Sequence, residues 1–167
     1  MTAVPIRAPS KSRAWLIPGL VIAAMAAAVI FLRPNFGLLA PQSLAIKVHL
    51  AFAVVALGLG TAMMTSRKGA RFHRIAGWIW AIMMLVVAGS SLFITSLTPG
   101  HWSWIHILSG WTLVAVPLGL LFARRHSVKN HRRFMAGTFF GGLLIAGAFT
   151  FVPGRLMWDM FFGGSHG

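Results

Sequence analysis

KVHLAFAVVALGLGTAMMTSRKGARFHRIAGWIWAIMMLVVAG, residues 47–89, decides the fold, because the chain contains this pattern twice. The second copy, residues 104–147, is far diverged: WIHILSGWTLVAVPLGLLFARRHSVKNHRRFMAGTFFGGLLIAG. Three landmarks keep step. His49 maps to His106 at an offset of 57, His73 to His131 at 58, and Gly89 to Gly147 at 58. Each later histidine is followed by an arginine, Arg74 and Arg132. Each copy is therefore an apolar span opening on a histidine, a basic loop, a His-Arg pair and a second apolar span. A tandem repeat of two spans keeps its membrane orientation, so a pseudo-twofold axis along the membrane normal should relate the copies.

Working outward, composition places the whole chain in a bilayer. Of 167 residues, 57% are hydrophobic and only 10% charged, against about a quarter charged in a soluble domain. The mean hydropathy is +0.80. One acid, Asp159, stands against fifteen Lys and Arg, for a formal charge of +14. In a soluble chain that excess would point to nucleic acid. Here the basic residues cluster in loops between apolar runs and no basic-aromatic patch for base stacking is present, so the expected counter-charge is an anionic inner leaflet and not nucleic acid. Cysteine is absent, which removes disulfides, iron–sulfur clusters, thiolate zinc and covalent c-type haem attachment.

These features predict an all-α integral membrane protein with five transmembrane helices. Residues 1–13 form a basic tail, and residues 14–43 hold the first span (14–32) and an outer loop. Repeat one, 44–97, holds spans at 44–64 and 75–97. Repeat two, 98–152, holds spans at 102–123 and 134–152. Residues 153–167 form an interfacial tail with Trp158 at headgroup level. The positive-inside rule sets the orientation. With the N-terminus inside, twelve of the basic residues lie on the inner side, and only Arg33, Lys47 and Arg155 lie outside. The expectation is N-in and C-out, multi-pass, in a bacterial inner membrane.

The repeat then acts on the histidines. His49 and His106 share a depth near the outer ends of the second and fourth spans, and His73 and His131 share one at the inner mouths of the third and fifth. In a sequential four-helix ring these pairs sit on diagonals, and the pseudo-twofold axis carries each histidine onto its mate. Bundles build cofactor sites from side chains on facing helices, and two imidazoles at one depth are what a six-coordinate b-type haem requires. The expected ligands are therefore His49 with His106 and His73 with His131. Arg74 and Arg132 are placed to pair with haem propionates. Gly58, Gly60, Gly77, Gly89, Gly110, Gly119, Gly137, Gly141 and Gly147 would let a flat ring approach; ordinary small-residue helix packing, as at Gly137-x-x-x-Gly141, accounts for the same glycines. The inner and outer levels are about 20 residues, or roughly 30 Å, apart, a long gap for two electron-transfer centres, so zero, one or two haems remain open at this point.

Two resemblances bear on this pattern. The block of residues 44–155, with F-H-R-x-x-G-W, the later H-R-R-x-M and the closing P-G-R, resembles an uncharacterised bacterial family of predicted multi-span membrane proteins, a domain of unknown function (DUF2306-like). One histidine on each of four consecutive spans is similar to the transmembrane dihaem cytochromes b of the ascorbate-reducible, b-561 type. That resemblance implies two diagonal axial pairs and electron transfer. The chain departs from those cytochromes in placing its inner histidines at helix mouths, and it has no ascorbate-binding motif.

The function expected is a b-type haem electron-transfer protein with a quinone or redox-protein partner. The alternative is a cofactor-free scaffold, an accessory subunit or assembly factor, in a homo-oligomer or larger membrane complex, its histidines serving as polar packing. A third reading is copper handling by Met63-Met64 and Met83-Met84 with His101 and His166; methionine is also an ordinary core filler. No Ser–His–acid arrangement can be drawn around the single acid, and the sequence assigns no catalysis.

Overall fold

The structure, a computed structural model, describes residues 30–94 and 104–163 and, before them, residues 20, 23–24 and 26–27. The described residues are helical, with turns and no strands. Most of the expected first span lies outside them, as do the loop of residues 95–103 and the last four residues.

Helix α1, Leu44–Thr65, is opened by Ser43, whose Oγ accepts the Ile46 amide. A serine outside the helix satisfies one of its four orphan donors. The helix stops at Ser66, and the chain reverses through Gly69 at φ +78°, a left-handed position that glycine takes without a Cβ clash. Helix α2, Arg71–Ser91, returns. Helix α3, Trp104–Arg124, carries Pro117 within it. Helix α4, Val128–Gly137, runs without a gap into a π-helical segment, Thr138–Ile145, and then α5, Ala146–Phe149. Leu156–Phe161 forms the short α6, whose Met160 carbonyl accepts the Asn35 amide at 2.8 Å.

Three helices, α1, α2 and the His106–Arg124 part of α3, are long and apolar enough to cross a membrane. Their outward faces agree with that. Val54, Val55, Ile79, Ile82, Ile107 and Val114 are all exposed, a pattern that would drive aggregation in water and is solvated by acyl chains in a bilayer.

Helices adjacent in sequence pack against one another, and the π-helical segment closes the ring by touching both α3 and α1. The core is small: Ala56, Trp80, Ala81, Met84, Val116, Phe139 and Leu143. It lies at mid-bundle, contributed by all four sides. Gly60 is the close approach that permits it, since a Cβ there would stand 2.6 Å from Phe139 and 2.8 Å from the Trp80 indole nitrogen.

Several expectations change. Helix α2 begins at Arg71 and α4 at Val128, earlier than the apolar runs suggested. His73 and His131 are therefore the third and fourth residues of their helices, at the opening turns of α2 and α4. Among the described residues the Gly137-x-x-x-Gly141 pair makes no close contact: a Cβ on either would meet nothing within 4 Å. The close approach is made by Gly142, whose Cβ would stand 3.0 Å from the Thr112 hydroxyl. The π-helical segment was not legible from periodicity, since it shifts the register by which residues face inward.

Candidate functional site: two levels of histidine

At the inner level, His131 stands one turn into α4. Its Nδ1 lies 2.9 Å from the Gly119 carbonyl on α3. A carbonyl only accepts, so Nδ1 carries the proton in the neutral ring and Nε2 is left as the basic nitrogen. A side chain at Gly119 would find no room. The Met135 side chain, one turn beyond His131, lies across its face, with Cε 2.2 Å from where a Cβ would stand. Gly119 is thus the socket into which the first two turns of α4 lock.

His73, half-buried on α2, has a buried Nδ1 with no hydrogen-bond partner. His131 and Lys68 lie near enough for their charges to act on it. His73 on α2 thus lies within electrostatic range of His131 on α4. One has its ring fixed by a main-chain carbonyl and the other carries an unsatisfied nitrogen. Arg74 and Arg132 are both exposed beside them.

At the outer level, His49 on α1 is half-buried, its Nδ1 2.9 Å from the Val87 carbonyl and 3.2 Å from Ser90 Oγ on α2. Ser90 itself donates to Val87. The same tautomer argument leaves His49 Nε2 as the basic nitrogen. His106 on α3 is buried, at 7% exposure. One turn along α3, Ser109 shares a hydroxyl–hydroxyl bond with Ser91 of α2. Thr112 and Thr138 continue this buried polar seam toward mid-bundle. The seam was missed from the sequence. Its only signal there was Ser90-Ser91 and Ser109, small hydroxyls inside apolar runs.

The donor chemistry can be compared with an axial haem couple. Metal-bound imidazoles characteristically give their second N–H to a carbonyl or hydroxyl, which fixes the ring and the tautomer. His49 and His131 have that arrangement, and His73 has an unsatisfied nitrogen. The donor types and ring-fixing bonds suit such a couple, with one requirement. Met135 covers Gly119, so a ring entering beside His131 must displace this flexible side chain.

Of the methionines named in the copper reading, Met64 is exposed and the others lie in or against the core. Met84 is 1% exposed in the core, with Met63 and Met83 packed against it. Among the described residues no three His, Cys, Asp or Glu side chains converge on one point. His101 and His166 lie outside the described residues.

Apolar helices with lipid-facing aliphatic sides and a polar, histidine-bearing interior define the class: a helical integral membrane protein. A family described as predicted membrane protein (DUF2306) matches residues 46–164, and the chain belongs to that family. No curated protein and no solved structure gives a significant match.

Proposed function

We propose that the protein is a membrane-embedded b-type haem carrier with bis-histidine ligation. His73 and His131 hold the inner haem; His49 and His106 are the corresponding outer couple. The observation that carries this reading is the hydrogen bond from His131 Nδ1 to the Gly119 carbonyl, repeated in kind by His49 to Val87 at the other end. Each bond presents Nε2 of a neutral imidazole. When bound, haem b supplies a one-electron couple. The chain's residues fix the rings, exclude water through the Trp80–Met84–Phe139 layer, and surround the inner level with the charges of Lys68, Arg74 and Arg132. The proposed topology is N-in and C-out in a bacterial inner membrane, which places the nine cations from Arg67 to Arg74 and Arg124 to Arg133 on the cytoplasmic side. Partners would then be a quinone or cytoplasmic donor and an outer acceptor.

A second reading, a cofactor-free scaffold within a larger membrane complex, is favoured by one observation: the mid-bundle layer is already filled by side chains. Under it, the bonds of His49 and His131 lock helices together.

A visible spectrum and pyridine haemochrome assay on protein purified from haem-replete cells separate the two. The haem reading expects a low-spin bis-imidazole spectrum, lost in His131→Ala and His73→Ala and kept in His126→Ala, whose ring is exposed in the loop. A colourless wild type that binds no added haemin sinks it.

A further inference from the structure

A cavity of about 270 Å³ opens on the lipid-facing side between α2 and α3, lined by Trp78, Pro117, Leu120, Leu121 and Arg124. None of its lining residues is a histidine. Its floor is apolar and its rim carries a cation. The Arg124 guanidinium carbon lies 5.4 Å from the centre of the Trp78 ring. The indole face holds the guanidinium at the rim, and its N–H donors form a fork that matches two oxygens of a phosphate. Arg74, exposed and one helical turn from Trp78 on the same face of α2, is placed to add a second cation.

Nothing inside the chain can neutralise this rim by a side-chain carboxylate. The sole acid is Asp159, and it lies on α6, the helix tied to Asn35 at the opposite end from the basic loops. Below the rim, Arg124, Leu120, Leu121 and Pro117 follow one face of α3 for two turns, about 10 Å, toward mid-bundle. A phosphate-sized anion would occupy only the rim; an acyl chain accounts for the apolar remainder. We propose that this groove is a binding site for one anionic phospholipid, its phosphate held by Arg124 and Arg74 and one acyl chain lying against Trp78, Pro117 and Leu121.

Trp78 makes the test direct. Protein is reconstituted in phosphatidylcholine vesicles doped with either dibrominated phosphatidylglycerol or dibrominated phosphatidylcholine, and the fluorescence difference between wild type and Trp78→Phe is followed. The expected result is quenching of the Trp78 component at about fivefold lower mole fraction of the brominated phosphatidylglycerol, with Arg124→Gln removing that preference, since one arginine near the surface contributes about a factor of five. Arg133→Gln, which deletes the same charge on α4 outside the groove, keeps it, and 0.5 M NaCl, which screens a diffuse field, reduces it by less than half. Equal quenching by the two lipids overturns the site even if the variants fail to fold. Equal loss in Arg124→Gln and Arg133→Gln overturns it in favour of a diffuse field. Relief of quenching by millimolar inorganic phosphate overturns the lipid as occupant and leaves a free anion.

Discussion

The indole N–H of Trp80 on α2 donates to the main-chain carbonyl of Ala56 on α1 at 3.0 Å, in the buried centre of the bundle. This bond ties together the two helices of repeat one. Its counterpart in repeat two is absent among the described residues: at the 58-residue offset of the second span Trp80 becomes Thr138, whose hydroxyl donates within its own helix to Phe134, and at the 57-residue offset of the first span Ala56 becomes Leu113.

Trp80→Phe should therefore weaken the bundle by about 1–2 kcal/mol, from the lost buried hydrogen bond and the smaller ring. Thermal unfolding of the helical circular dichroism signal in detergent reads this. An unchanged midpoint would show that the indole N–H contributes nothing net.

Gly60 and Gly58 should respond in opposite ways to alanine. At Gly60 the new methyl meets Phe139 and the Trp80 nitrogen below 3 Å, and neither ring can withdraw from a filled core, so a loss of about 1–3 kcal/mol is expected. At Gly58 none of the described residues lies within 4 Å, so alanine should be neutral or stabilise by up to about 1 kcal/mol through helix propensity. Equal effects would contradict the placement of α1 against the π-helical segment.

Gly142→Ala should cost stability by pressing on the Thr112 hydroxyl at 3.0 Å. Thr112→Ala removes that obstacle, and its own lost bond is only the one to Leu108 within the helix. The double variant should recover most of the Gly142→Ala loss, with a coupling of about 0.5–1 kcal/mol in a thermodynamic cycle. Strict additivity would place the π-helical segment elsewhere.

Met135→Ala uncovers Gly119 beside His131. On the haem proposal it should lower the stability of the cofactor-free protein by about 2 kcal/mol or more while haem is taken up at least as well as by wild type. A variant that loses haem in step with stability would make Met135 part of the site and not its cover.

The proposed orientation has a clean test because the chain has no cysteine. Ala40→Cys, exposed ahead of α1, should react with an impermeant maleimide in intact spheroplasts; Lys129→Cys, exposed at the start of α4, should react only after permeabilisation. The reverse pattern would invert the topology.

Much of this was present in the sequence. Long apolar runs without charge read as helices in lipid, because every backbone group must be satisfied within the segment; the 47–89 stretch and its diverged copy marked the runs that became α1, α2 and α3. That Lys and Arg crowd two loops also follows from residue order. What residue order could not set was which neighbour each ring meets. His131 chose the Gly119 carbonyl, His49 chose Val87 and Ser90, and His73 was left with an unsatisfied nitrogen. Gly142, not Gly137 or Gly141, became the close approach. These outcomes depend on helix rotation, and rotation is decided by packing: the bulk of Trp80, Phe139 and Met84 and the register shift of the π-helical turn fix it only when all the helices are assembled together.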